Sequence, residues 1–349
     1  MRAAYAIAFG GEDPLANLAI GEQPEPELQP GWALVRVTAA SLNHHDLWTL
    51  RGVSSRPLTA PQVLGCDAAG RVEALGDRTA GAPIPGTRVL VHAVIGCGSC
   101  AGCRAGATGV CLRLSLLGEP PHGGTLSELV AVPAANLLPV PDPLSDEAAA
   151  CLPTAYLTAW RMLFTRAHLQ RGMSALVHGA TGGVATAAIL LGAHAGVAIH
   201  ATSRDPEKRR FALELGAAGA FDPDDREAAR ELVSSTGGGV DVVLETVGEA
   251  TWAVSLRAVR PGGTVVVAGS TSGPNPRAEL NRVFWHQLTI AGTTMGTRRE
   301  LERVVSLCAS GAVQPLIDRV VPLEDSRAAF AALAAGEQRG KLVVRVAPS

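Results

Sequence analysis

Charge of one sign is what this chain has least of. Its 349 residues carry 32 Asp and Glu against 30 Lys and Arg, with no long run of either sign. That balance argues against a polyanion-binding surface, so no nucleic-acid partner is expected. The amino terminus has no basic stretch leading into an apolar run with a cleavage motif, and a cytoplasmic protein is expected. No repeat of solenoid length recurs. Charge is missing altogether from residues 172–203, which would attract a hydropathy window. A spanning helix wants roughly 20 continuous apolar residues, whereas Gly179, Gly182, Gly183, Gly192 and Gly196, with His178, His194 and His200, punctuate this stretch. A strand, turn, helix and strand buried on both faces of a sheet explain the same composition without lipid.

What is present begins with cysteine. Cys97-x2-Cys100-x2-Cys103-x7-Cys111 lies in a stretch carrying Gly96, Gly98, Gly102, Gly106 and Gly109. A loop this compact can wrap four thiolates around one tetrahedral zinc at Zn–S distances of roughly 2.3 Å, and glycine permits the tight turns required. Two-residue spacings suit disulfides poorly. Four sulfurs complete the tetrahedron, so the expected ion is structural, one per chain.

The length favours two domains. Residues 1–150 read as short strands and turns; residues 33–39 and 88–94 alternate as strands do. Ser145-Asp146-Glu147 opens a helix that continues past Pro153 as a second segment. From Met173 strands alternate with helices: strands at 175–178, 197–201, 240–244 and 264–268, and helices at 184–195, 207–215 and 250–259. Asp205-Pro206 has the form of an N-cap followed by proline at the first helical position. This alternation implies a parallel, doubly wound sheet. Helices at 298–308 and 325–335 and a strand at 341–346 complete the chain.

The turn Gly179-Ala180-Thr181-Gly182-Gly183-Val184-Ala185 follows a strand and opens a helix, the context in which a glycine motif points to a dinucleotide. Gly182 allows close approach of a pyrophosphate to backbone, and the helix N-terminus offers N–H donors and partial positive charge. Ala180 and Ala185 stand where the fingerprint has its first and third glycines. About 20 residues on, where an NAD site usually offers an acid, the chain has Thr202-Ser203-Arg204, with Lys208 and Arg209 a helical turn later. Ser203 and Arg204 can bind a 2′-phosphate that a carboxylate would repel, so NADP(H) is the expected cofactor. Asp205 is better explained as the helix cap.

The four-cysteine lobe, the glycine turn, Gly65-Cys66-Asp67-Ala68-Ala69-Gly70, Gly123-Gly124-Thr125-Leu126-Ser127-Glu128 and Arg260-Pro261-Gly262-Gly263-Thr264 together resemble the medium-chain dehydrogenase/reductase superfamily over nearly the whole chain. The resemblance implies an α/β fold in which a Rossmann doubly wound parallel sheet is inserted in a GroES-like β-rich catalytic domain. Residues 1–150 and 296–349 would form the catalytic domain, with the zinc lobe at about 92–112, and residues 151–295 the Rossmann domain.

Zinc alcohol dehydrogenases of this superfamily carry a second, catalytic zinc. Its three ligand positions fall here on Asn43, Cys66 and Thr154, and Asn43 and Thr154 are poor zinc ligands. The Asn43-x-x-Asp46 pattern is similar to that of the quinone oxidoreductase and enone reductase branch, which works without catalytic metal. The resemblance therefore implies hydride transfer from NADPH to a small-molecule conjugated carbonyl or quinone. Two alternatives stay open: a dehydrogenase with a metal site rebuilt from Cys66, Asp67, His45 and Cys151, and a catalytically silent NADPH-binding protein. Asn43, as donor to the carbonyl oxygen or merely a turn cap, His45 and Tyr156 are the catalytic candidates. His44, Thr158, Gly182, Gly183, Val184, Ser203, Arg204, Lys208, Thr246, Gly269, Ser270, Thr294 and Met295 are the cofactor candidates. Residues 288–292 resemble the family's dimer-forming edge strand, so a homodimer is expected.

Overall fold

The computed structural model describes residues 1–54 and 56–346. Two compact units emerge, Met1–Ala155 with Thr297–Ser349, and Tyr156–Gly296. The first boundary falls inside a helical run. Ser145 accepts a hydrogen bond from Ala148 N and caps the Asp146–Ala150 helix, and widened turns at Leu152–Tyr156 and Arg161–Arg166 flank a short α-helix, Leu157–Trp160.

In the second unit six strands form one wholly parallel sheet. Their spatial order is Gly219–Phe221, Ala198–Thr202, Ser174–His178, Val240–Glu245, Val259–Val267 and Thr289–Gly292. Near-continuous apolar runs make these strands because helices cover the faces of such a sheet. The order reverses between Ser174–His178 and Val240–Glu245, the place where open α/β sheets bind ligands. The Gly183–Ala195 helix stops at Gly196, whose φ of 72° lies in the left-handed region glycine tolerates. Asp205 caps the Pro206–Glu214 helix by accepting from Glu207 N.

The strand at 264–268 in fact reaches back to Val259, with a shift in pairing register between Val240 and Val242. The Arg226–Ser235 and Leu280–Trp285 helices and the Gly219–Phe221 strand were not legible, being short or dominated by charge. No helix among the described residues is long and apolar enough to cross a membrane.

The first unit is built on a ten-residue strand, Trp32–Ser41, which pairs antiparallel with Asp67–Leu75, Leu129–Pro133 and Lys341–Arg345. The strand expected at 88–94 divides into Arg88–Val91 and Val94–Ile95; His92 N instead donates to Asn136 O. Pairing of Val343 with Ser41 and Val344 with Ala40 carries Lys341 from the chain's far end to the segment that follows Ser41.

Candidate active site and metal lobe

The four cysteine sulfurs all lie within 4.8 Å of one another. Zn–S bonds of about 2.3 Å would set sulfurs about 3.8 Å apart, so the cage fits a zinc ion. Backbone N–H groups already point at the sulfurs: Cys97 N and Arg113 N lie 3.3 Å from Cys111 Sγ, Cys100 N 3.4 Å from Cys97 Sγ and Cys103 N 3.5 Å from Cys100 Sγ. The Ser99 N–H and hydroxyl, with Arg113, bring Cys97 down to about 5. Desolvation and the neighbouring Cys100 and Cys111 thiols push Cys103 up to about 11. Four thiols in one nest cannot all ionise without a cation among them.

Elsewhere in the first unit, Asn43, Cys66, Asp67 and Thr154 are bonded to one another. Asn43 Nδ2 donates to Asp67 Oδ2 at 2.8 Å, to Ser41 O at 3.3 Å and to Cys66 Sγ at 3.5 Å. Thr154 Oγ1 donates to Asp67 Oδ1 at 2.6 Å and lies 3.5 Å from Cys66 Sγ. Lys341, only 3% exposed, completes the chain: Nζ donates to Asn43 Oδ1 at 2.6 Å and Leu42 O at 2.7 Å, and stands 3.7 Å from Asp67 Oδ2. Asn43 is thus a bridge between a buried ammonium and a buried carboxylate. A substrate oxygen can recruit its amide only in competition with these acceptors. Asn43 also begins the His44–Leu50 helix, where Asp46 Oδ2 accepts from Asn43 N and Asp46 Oδ1 from Gly65 N. Gly65 has φ of +96°, and a Cβ there would come within 2.6 Å of Thr125 Oγ1, so this junction requires glycine.

His45 Nε2 meets Glu119 Oε1 at 2.9 Å, both side chains being nearly inaccessible. Its Nδ1 is buried without a hydrogen-bond partner. Burial alone would lower the His45 pKa, but the neighbouring Cys66 and the Glu119 carboxyl outweigh it and hold the imidazole well above 6.5. His44 moves the other way, lowered by burial and by Arg51 and Lys341, which suits it to donate an N–H rather than a full charge. Cys151, expected as a possible ligand, donates to Glu147 O at 3.2 Å, and burial pushes its thiol up to about 12. Among the described residues the four-cysteine cage is the one group of His, Cys, Asp and Glu drawn together as metal ligands are; His45, Cys66, Asp67 and Cys151 are not.

In the second unit Gly182 precedes the thirteen-residue Gly183–Ala195 helix and offers no side-chain cap. A Cβ built on Gly182 would meet nothing within 4 Å, so there is room beside the start of this helix, whose first-turn N–H groups, including those of Gly183 and Val184, have no side-chain cap and are of the kind that binds a pyrophosphate. Thr246, Gly269 and Ser270 follow the Val240–Glu245 and Val259–Val267 strands at their carboxyl ends. Thr158 is buried on the Leu157–Trp160 helix, and Tyr156, which opens the unit, is wholly buried. Thr294 is exposed, and Met295 holds a left-handed φ of 43°, a strained conformation of the kind that clusters at ligand sites. Arg204 Nε pairs with Asp224 Oδ2 at 2.6 Å on the surface, and Arg209 Nη1 holds the backbone by bonding Ser203 O and Arg204 O. Lys208 is half-buried on the same helix.

Lys341, Glu119 and Asp224 are the neighbours sequence reasoning missed. Each reaches its partner through tertiary pairing, and none belongs to a local motif.

Residues 29–142 match the alcohol dehydrogenase GroES-like domain and residues 183–310 the zinc-binding dehydrogenase family. A zinc-type alcohol dehydrogenase-like protein of Schizosaccharomyces pombe is 30% identical, the match covering 92% of each chain. The quinone oxidoreductase of Mus musculus is 27% identical over 99% of this chain and 97% of its own. Among solved structures, an NAD-dependent alcohol dehydrogenase superposes with TM-score 0.92 at 35% identity, covering 99% of this chain and 100% of its own. A 2-octenoyl-CoA carboxylase reductase in complex with NADP and 2-octenoyl-CoA superposes with TM-score 0.90 at 27% identity, over 99% and 87%. The chain belongs to the medium-chain dehydrogenase/reductase superfamily. Its first unit is the GroES-like domain, its second the Rossmann-type domain, and it is an oxidoreductase.

Proposed function

We propose that the chain is an NADPH-dependent reductase of conjugated carbonyl compounds or quinones that uses no catalytic zinc. The observation that carries this reading is the closed chain Lys341–Asn43–Asp67–Thr154, lying at the residues that stand in place of the catalytic zinc ligands. An amide and a hydroxyl bind zinc poorly, and a lysine ammonium 2.6 Å from Asn43 Oδ1 repels a divalent cation. A relative crystallised with NADP and an unsaturated thioester supports the same substrate class.

The reduced coenzyme, when bound, supplies the hydride that the β-carbon of the conjugated acceptor takes up. The protein's part is to hold positive charge and a proton near the acceptor oxygen or α-carbon. His45 carries that proton, with Nδ1 as its unpartnered donor and Glu119 fixing the ring from the other side. Tyr156 orients the acceptor. His44 and Thr158 contact the pyrophosphate and nicotinamide portions, and Thr294 and Met295 close the nicotinamide side. Single-turnover oxidation of bound NADPH against enone, quinone, aldehyde and alcohol panels, run with metal counting, tests the proposal. Turnover confined to alcohols and aldehydes, with two zincs per chain and sensitivity to chelator, would sink it. NADPH binding without turnover of any acceptor would sink it too and favour a silent protein.

The four-cysteine cage is proposed to hold one structural zinc. Metal analysis is expected to find one ion per chain, and Cys103→Ser to remove it and to open residues 92–112 to limited proteolysis. A zinc-free wild type of equal protease resistance would contradict the assignment.

Ser203 and Arg204, with Lys208, are proposed to hold the 2′-phosphate, which must then draw Arg204 from Asp224. A hydrogen bond to a charged group contributes about 1.5–3 kcal/mol, a factor of about ten to a hundred. Arg204→Ala should weaken NADPH binding by about that factor with little change for NADH, and Asp224→Asn should tighten NADPH. Equal losses for both nucleotides in a fluorescence titration would refute the phosphate assignment, a pertinent outcome since one similar structure is that of an NAD-dependent enzyme.

Among the described residues the Thr289–Gly292 strand pairs on one side alone, and its Ile290 and the preceding Phe284 and Trp285 are exposed. We take this edge as the contact with a second copy. Ile290→Asp is expected to convert a dimer to a monomer by light scattering; a monomeric wild type would end that idea.

A further inference from the structure

Under the glycine turn lies a wholly buried polar chain that no step above uses. We propose that His178, Thr202, Ser255 and Glu245 form a positioning relay that fixes the three loops on which the dinucleotide rests. The inference depends on the assignment of the glycine turn to a dinucleotide and adds to it the residues that shape that site.

The donors can be counted from one end to the other. Ser255 has a single hydroxyl hydrogen, and its Oγ lies 2.5 Å from Glu245 Oε2, so that hydrogen goes to the carboxylate. Ser255 Oγ must then accept from His178 Nε2–H at 2.8 Å. Burial pushes the His178 pKa down, leaving the ring neutral with one N–H. Its Nδ1 is therefore an acceptor, and Thr202 Oγ1–H donates to it at 3.2 Å. Thr202 Oγ1 in turn accepts from Gly179 N–H at 3.4 Å. All the hydrogen bonds run in one direction, from the first residue of the glycine turn to the acid. At the far end Glu245 also accepts from Val247 N at 2.7 Å, Gly248 N at 2.9 Å and Thr251 Oγ1 at 2.9 Å.

The geometry explains why this placement matters. His178 and Thr202 are direct partners at the carboxyl ends of neighbouring parallel strands, and Glu245 ends the strand on the other side of His178. One network thus ties the glycine turn, the Ser203–Arg204 segment and the loop carrying Thr246. Gly179 N–H is turned inward, and the uncapped N–H groups of the helix start beyond Gly182 are left to the dinucleotide. Four donors converge on Glu245 with no solvent to substitute for them, and a buried chain of this kind holds its ends firmly because a missing member leaves its neighbour unpaired.

Thr202→Val and Ser255→Ala remove one hydroxyl each at nearly constant shape. NADPH and NADH titrations of the intact protein should each show about tenfold weaker binding in both variants. KM for the coenzyme should rise by the same factor, while kcat at saturation stays within about twofold. Thr202→Ser, which restores the hydroxyl, should return binding to the wild-type value. Equal effects on both coenzymes are expected because the relay acts on the turn rather than on the 2′-phosphate. Variants that lose thermal stability yet bind both nucleotides within twofold of wild type would overturn the relay and leave the dinucleotide assignment standing. A wild-type chain that binds neither nucleotide would overturn both.

Discussion

Lys341→Met should destabilise the first unit by about 3–5 kcal/mol, the cost typical of removing one partner from a buried pair. The side chain is 3% exposed, and its Nζ is bonded to Asn43 Oδ1 and Leu42 O beside Asp67. Methionine matches the length of lysine but leaves Asp67, which is wholly buried, without a cation, and Asn43 Oδ1 without a donor. Urea unfolding followed on the first unit measures the loss. Adding Asp67→Asn should recover a substantial part of it, because the second change removes the uncompensated charge. Lys341→Arg is not a mild substitute, since a planar fork cannot reproduce three point contacts around one nitrogen. A loss below about 1 kcal/mol would mean that the pair contributes no more than a surface ion pair, and the electrostatic argument against a metal there would lose its main support.

The contrast between what was readable and what was not follows from sequence distance. The cysteine cage spans fifteen residues, and the glycine turn lies between one strand and one helix, so local spacing was enough to find both. The Asp205 cap and the helix start at Ser145-Asp146-Glu147 were visible for the same reason. Lys341 was readable only as the beginning of a final strand; its role arises when that strand pairs with Trp32–Ser41 and delivers it to Asn43, 298 positions away. Glu119 follows a two-residue strand, Ser115–Leu116, in a turn-rich stretch with no motif around it. Asn43 shows the limit from the other direction. Its residue type suggested a donor to substrate, whereas the fold engages both amide hydrogens with protein acceptors, and an unpartnered buried nitrogen falls instead on His45, two residues on. His178 could be seen as an interruption of an apolar run, but its partners Ser255 and Glu245 belong to elements 67 to 77 residues further on.

Under the proposed mechanism, removing His45 should have the largest effect on turnover. General acid catalysis typically contributes 10²–10⁴-fold, so His45→Gln is expected to lower kcat by about that factor with a smaller change in KM. The pH dependence follows from the direction of the shift. His45 is held above its ordinary value, so its protonated form persists to higher pH than that of a free imidazole, and the rate should decline as pH rises through that raised pKa. The groups facing the ring are Glu119 from the loop after Ser115–Leu116, Cys66 before the Asp67–Leu75 strand and Asp46 from its own helix. Burial pushes the Cys66 thiol up, which keeps it a neutral neighbour. Glu119→Gln retains the shape and a hydrogen-bond acceptor but removes the charge, so the alkaline limb of the kcat profile should move to lower pH while the rate on the acid side is preserved. Stability changes in the same sense. The His45–Glu119 pair contributes fully below the unfolded histidine pKa of about 6.5 and is lost as pH rises through the higher folded value, so the melting temperature of the wild type should fall over that window and that of Glu119→Gln should fall less. Superimposable pH–rate profiles for wild type and Glu119→Gln would show that the glutamate does not tune the histidine, and a His45→Gln enzyme of undiminished kcat would remove His45 from the chemistry.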